Sequence, residues 1–317
     1  MKKLISLLAV LTLVLGVFAF ASAEGQSWQI GILQFVQHPA LDQATQGFMD
    51  ALSEKLGDSV TFYAENASGE VPNCATIASQ LVSRQVDLIM ANATPPLQAC
   101  TNATGDIPVL GTTVTDYQAA LEIDLTEEGA TGMNVSGTSD LAPLDGQADM
   151  IRELFPEAKT VGLLYCSGEA NSIYQIKKIE EYLTEAGIGC KRYGFNDSND
   201  LASVVQTAVE CDVIYIPTDN TAANNTEAIA NVVIPAGVPV VAGEEGICKG
   251  CGVATLTISY YDIGYKTGEM AYDILVNGAD VSTMPVAYAP QFTKKYNAAN
   301  AAELGVAIPD DYIAIEE

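Results

Sequence analysis

The sequence predicts an α/β protein built of two doubly wound parallel-sheet lobes, and three observations carry that prediction. From Gln29 onward, short apolar runs alternate with longer segments of helical period, the signature of parallel strands with crossover helices. The alternation occurs twice, from Gln29 to about Asp116 and again from Thr160 to about Val241, with a spacer of different composition between. Polar residues collect just after the apolar runs, at the edge of such sheets where ligands sit.

The chain opens with Lys2 and Lys3, an apolar stretch from Leu4 to Phe20, and the small residues Ala21-Ser22-Ala23. This is the pattern of a cleaved export signal spanning 1–23. No cysteine stands at the expected cleavage point to carry a lipid, so a free mature protein, periplasmic or secreted, is expected. Without Lys2 and Lys3, 12 of the 14 basic residues face 40 acidic ones, a net charge of −28 with His38 neutral. Such a chain repels phosphate backbones and anionic lipid, which excludes nucleic acid and membrane surfaces as natural partners. With 49% hydrophobic residues it still has a core to bury, and roughly 290 mature residues suit two domains.

The first unit reads as strands at Gln29–Phe35, Val60–Ala64, Leu88–Ala91 and Val109–Gly111, with helices at Leu41–Leu56 and Cys74–Arg84. The spacer at 127–137 ends in an extended piece, Met133–Ser136, before Gly137. The second unit reads as strands at Thr160–Tyr165, Gly189–Phe195, Val213–Ile216, Val238–Val241 and Gly252–Ile258. Its helices are Leu144–Leu154, Ser172–Ala186, Leu201–Glu210 and Ala222–Ala236, and a last one covers Tyr261–Val276.

Seven cysteines in an exported chain raise the question of disulfides. Cys74 with Cys100 and Cys190 with Cys211 are possible pairs. Cys248-Lys249-Gly250-Cys251 reads as a surface loop carrying a short disulfide or two thiols, since zinc would want a second such pair or nearby histidines.

The loops after the strands hold Val36-Gln37-His38-Pro39, Asn92 to Pro96, Thr112 to Asp116, Cys166 to Ser172, Pro217 to Thr221 and Ala242 to Glu245. Hydroxyls, amides and carboxylates dominate, with no Lys or Arg. Each such residue taken alone is as well explained as a helix cap. Six loops at one edge of two sheets point instead to a shared site, unsuited to phosphates and suited to an ammonium group.

Several segments resemble the ABC-transporter substrate-binding family of the tryptophan/tyrosine transport type: His38-Pro39-Ala40-Leu41-Asp42, Gly168-Glu169-Ala170-Asn171-Ser172, Pro217-Thr218-Asp219-Asn220 and Tyr260-Tyr261-Asp262-Ile263-Gly264. The resemblance covers essentially the whole mature chain. It departs at Cys166-Ser167, where relatives usually carry Asn-Pro, and in cysteine content. It implies a periplasmic binding protein of the type I fold whose lobes are joined by three crossings, near Asn134–Thr138, Thr257–Tyr260 and Tyr288–Phe292. The implied domains are 24–136 with 254–288, and 137–253 with 289–317. It also implies a monomer that closes on a small amino acid-like ligand and serves a membrane permease, without cofactor or metal.

For an amino acid, Thr94, Thr113, Asn171 and Ser172 are candidate donors to the carboxylate, Asp219 then Glu244 candidate acceptors for the ammonium. Glu169 and Asn220 belong to the same loops, and Val36, His38, Tyr165 and Tyr260 are candidates for the side-chain slot, alongside Phe35 and Tyr117. An enzyme is the competing class, but the single histidine, His38, has no nucleophile motif beside it, and neither a phosphate loop nor Gly-x-Ser-x-Gly occurs. A sensor-type protein for a sugar or nucleoside keeps the fold and changes the ligand.

Overall fold

The computed structural model describes residues 27–316; the expected export signal lies outside them. The first half runs β1 (Trp28–Gln34), α1 (Pro39–Leu56), β2 (Val60–Asn66), α2 (Val71–Ser83), β3 (Leu88–Asn92), α3 (Thr94–Ala103), β4 (Val109–Val114), α4 (Tyr117–Leu121) and β5 (Val135–Ser139). The second runs α5 (Leu144–Leu154), β6 (Thr160–Cys166), α6 (Ala170–Glu185), β7 (Gly189–Phe195), α7 (Ser198–Ala208), β8 (Val213–Ile216), α8 (Asn220–Ala223), α9 (Thr226–Ala236), β9 (Val240–Ala242), α10 (Glu245–Cys251) and β10 (Ala254–Thr257). The chain ends with α11 (Tyr260–Leu275), β11 (Ala287–Tyr288), β12 (Thr293–Tyr296), α12 (Ala298–Glu303) and β13 (Ile313–Ala314).

Two sheets result, ordered β11-β5-β4-β3-β1-β2 and β13-β12-β10-β9-β8-β6-β7, all pairs parallel except β10 with β12. Strands such as Leu88–Asn92 and Val213–Ile216 are buried along their whole length, as strands covered on both faces must be. The chain passes between lobes after Ser139, between Thr257 and Tyr260, and between Tyr288 and Thr293.

Sheet membership moves two expected boundaries. Residues 137–139 stay with the first sheet, because β5 continues along β4 and β11. Residues 254–257 stay with the second, because β10 is clamped between β9 and β12. The Cys248–Cys251 segment is a helix end rather than a loop, with both thiols buried while Lys249 and Gly250 stay exposed, and all seven cysteines are free thiols. Thr94-Pro95-Pro96 starts a helix, which the first turn permits because its N–H groups need no partner inside the helix.

The helix that follows the second crossing, α11, packs along α1 almost backbone to backbone. A Cβ on Gly264 would lie 2.0 Å from the Ala44 carbonyl oxygen, and one on Gly47 would lie 2.1 Å from that of Tyr261. Glycine at these two positions lets the returning segment lie flush on the first lobe, and the His38 end of α1 thereby faces Tyr260.

Candidate functional site

The carboxyl ends of the central strands of the two sheets face each other across the cleft. A tight cavity of about 10 Å³ lies there, room for about one water and far below the volume of ordinary small-molecule sites, lined by His38, Leu41, Thr113, Thr115, Asp140, Asn171, Thr218, Asp219, Asn220, Ala223, Glu244 and Tyr260. Seven of the twelve residues expected from the sequence are therefore gathered in one wall: His38, Thr113, Asn171, Asp219, Asn220, Glu244 and Tyr260.

The lobes touch through hydrogen bonds. His38 Nε2 meets Asn220 Oδ1 at 3.2 Å, Gln175 Nε2 donates to Thr115 Oγ1 at 3.2 Å, and the Thr115 and Thr218 hydroxyls stand 3.5 Å apart. This is a closed cleft. Backbone strain sits at its first-lobe rim, where Ala93 has φ 98° and Thr113 φ 52° without being glycine. Such outliers persist where surrounding structure over-determines them, commonly at ligand clamps.

Three buried carboxyl groups line the cavity, and no lysine or arginine is in its lining. Burial pushes Asp140 up to about 6, opposed by hydrogen bonds from the Thr115 and Tyr260 hydroxyls at 3.2 and 3.4 Å. Burial, and next the charge of Glu169, push Asp219 up to about 7. Burial also lifts Glu244 to about 7 against donation from the Gly246 and Ile247 N–H groups.

Their oxygens are not equally free. Asp219 caps α8, accepting from the Ala222 N–H at 2.8 Å and from the Cys166 N–H at 2.6 Å. Glu244 caps α10 in the same way. Asp140 caps no helix: it accepts from one hydroxyl on each oxygen and from its own N–H, which leaves it acceptor capacity that the two capping acids have spent. It follows directly on β5 at the first crossing, where no loop after an apolar strand announces it in the sequence.

The other expected residues lie around the cavity. Glu169 is saturated: Asn171 Nδ2, Asn220 N and Nδ2, and Thr221 N and Oγ1 all donate to it within 3.1 Å, so it organises the second-lobe loops. With Val36 it borders the neighbouring mouth of the cleft. Ser172 is buried behind Asn171, and its hydroxyl steadies Asp219. Thr94 is buried at the start of α3, outside the lining, with its hydroxyl unpaired. Tyr165 is also outside: strand alternation turns Leu164 and Cys166 one way and Tyr165 the other, where its ring covers Gly194 of β7. Thr115, Thr218 and Gln175, which join the lobes, were visible only as members of polar loops or of a helix.

Interleaved α/β lobes, three crossings and a closed polar cavity between strand ends define a two-lobed solute-binding protein of the type I periplasmic binding fold. The comparisons with known proteins agree. The family model described as ABC transporter substrate binding protein matches residues 29–315, and the chain belongs to that family. The "Tyrosine-binding protein" of Clostridioides difficile is 37% identical over 262 residues, covering 81% of this chain and 75% of the relative. A Streptococcus pneumoniae ABC domain in complex with L-Trp superposes with a TM-score of 0.85 at 33% identity, covering 90% of this chain and 96% of that one. The ligand-free, open form of a Clostridium difficile substrate-binding protein with adhesive properties is 36% identical but reaches only 0.69, with 91% and 99% covered. At near-equal identity, the liganded relative fits better, as expected for a chain whose lobes are closed.

Proposed function

We propose that this protein is an extracytoplasmic receptor that closes on a free aromatic amino acid, as a monomer, and delivers it to an ABC permease. One observation carries the reading: a buried cavity between two lobes lined by three carboxyl groups and neutral polar groups, with no cation. An anionic ligand meets repulsion there and a sugar finds no arginine, whereas an ammonium supplies the missing charge. Asp140 is the acceptor for that ammonium, with Asp219 and Glu244 adding to the field. The Thr94 hydroxyl, buried without a partner just outside the lining, is the spare donor for the carboxylate, since the Ala93 N–H is already spent on the Thr112 carbonyl. The names of the relatives, one tyrosine-binding and one holding L-Trp, support an aromatic side chain, which Leu41, Ala223 and the Tyr260 ring can flank.

Catalysis has no support in the cavity. Its single imidazole is tied to an amide, and its acids cap helices or accept from hydroxyls, with no activated nucleophile among them. Among the described residues no helix is long and apolar enough to cross a membrane; export through the 1–23 signal accounts for the location. A thermal-shift screen of the twenty amino acids with common sugars and nucleosides tests the reading. A ligand at a hundred times its dissociation constant adds about 2.7 kcal/mol of stability, several degrees of melting temperature. A best hit without an amino group would refute it.

A further inference from the structure

A continuous chain of hydrogen bonds runs round the cavity wall. It starts at His38, passes through Asn220, Glu169 and Asn171 to Thr218, and continues through Gln175 and Thr115 to Asp140 and Tyr260. His38 and Asp140 therefore stand near its opposite ends. The charged acceptor with spare lone pairs lies at one end, and the other end holds something different.

Two residues that line the cavity each hold a buried side-chain atom without a partner: Nδ1 of His38, from the first lobe, and Oδ1 of Asn171, from the second. Those residues are only 7% and 6% exposed. Their chemistry is fixed by their neighbours. Asn220 Nδ2 donates to the Glu169 carboxylate, which can only accept, so Asn220 turns its Oδ1 toward His38. The proton of the imidazole is then on Nε2. Burial keeps the ring neutral, leaving Nδ1 a bare acceptor. Asn171 likewise spends its Nδ2 on Glu169 and the Thr218 carbonyl, so Oδ1 is its open acceptor. Neither atom can serve a carboxylate, and leaving both dry is costly.

We propose that His38 Nδ1 and Asn171 Oδ1 read a neutral hydrogen-bond donor on the ligand's side chain, a phenol O–H or a ring N–H, so that the receptor selects tyrosine or tryptophan over phenylalanine. This rests on the amino-acid reading above and adds to it a reason for discrimination. A site built to pair with a donor penalises the analogue lacking it, because its own buried groups are then left unpaired.

Two substitutions separate the roles of the two ring nitrogens. His38→Gln keeps a donor in reach of Asn220 and removes the Nδ1 acceptor; His38→Asn keeps an acceptor at the Nδ1 position and gives up Asn220. Calorimetric titration with tyrosine, tryptophan and phenylalanine should show wild type favouring the better of the first two over phenylalanine by about tenfold or more. His38→Gln should erase that preference by weakening the preferred ligand about tenfold more than phenylalanine, and His38→Asn should keep the preference while weakening all three. Equal wild-type affinities, or a His38→Gln loss that is the same for all three, overturn the proposal and leave the amino-acid reading standing. Failure of all three to bind, with another class of ligand bound, overturns both.

Discussion

Replacing Asp140 by Asn removes one negative charge from the cavity while retaining an acceptor for one of the Thr115 and Tyr260 hydroxyls and turning an amide N–H toward the other. Truncating one partner of a buried charge-assisted pair costs about 2–5 kcal/mol, so the amino acid should bind roughly thirty-fold to a few thousand-fold more weakly. The pH dependence should change with it. Burial lifts the Asp140 carboxyl from 3.8 to about 6 in the closed protein, so below pH 6 an incoming ammonium must expel a proton. Wild-type affinity should rise between pH 5 and 7 and then level, with proton release visible as a dependence of the binding enthalpy on the buffer. Asp140→Asn should flatten the part of that rise centred near pH 6. Stability carries the opposite sign. A carboxyl whose folded pKa is raised is held protonated by the fold, so stability falls as pH rises from about 4 through 6. That loss, on the order of 3 kcal/mol at most for the closed form, is absent from the asparagine variant. Titration calorimetry at pH 5.5 and 8, with thermal denaturation at pH 4 and 8, measures both. An Asp140→Asn protein with wild-type affinity and the same pH slope would remove Asp140 from the site.

Asp219→Ala leaves the Cys166 and Ala222 N–H groups without their acceptor, so it should lower the melting temperature of the ligand-free protein by about 1–3 kcal/mol of stability per orphaned donor, partly relieved by the lost desolvation; an unchanged denaturation curve would contradict the capping role. Gly264→Ala places a methyl 2.0 Å from the Ala44 carbonyl oxygen and should destabilise by roughly 1–3 kcal/mol or more as α1 and α11 separate, readable in urea. Burial lifts the Cys74, Cys100 and Cys166 thiols to about 12, so an aromatic disulfide reagent at pH 8 should titrate them only after denaturant is added; rapid native reaction at all seven sites would show that the cores open easily.

The periodicity of the sequence was enough for the sheets because central parallel strands buried on both faces announce themselves as apolar runs. Leu88–Asn92 and Val213–Ile216 are examples. The edge strands Ala287–Tyr288, Thr293–Tyr296 and Ile313–Ala314 were illegible: they are short, half-buried or exposed, and paired only through partners far along the chain. The site shows the same division. The strand-end loops bring His38, Asn171, Asp219 and Glu244 to one cavity, since topology alone converges them. Which oxygen of which acid is free is a matter of capping geometry. Asp219 spends both of its oxygens on peptide N–H groups, whereas Asp140, at a crossing rather than after an apolar loop, does not.

Closing the cleft around Asp140, Asp219 and Glu244 without a cation buries three carboxyl groups that each resist ionisation, and it strands two neutral acceptors, His38 Nδ1 and Asn171 Oδ1. Both costs fall on the empty closed form and neither on an open one, where water reaches the same atoms. The interlobe hydrogen bonds that oppose them are few and long: 3.2, 3.2 and 3.5 Å between neutral groups. An ammonium removes the first cost and a side-chain donor the second, so the ligand's differential affinity for the closed state comes from groups the protein leaves unsatisfied rather than from contacts the lobes make with each other. A ligand shifts a conformational equilibrium only by that difference. Ligand selection and closure are therefore one event in this fold: a molecule lacking either donor could enter the cleft and still fail to hold it shut.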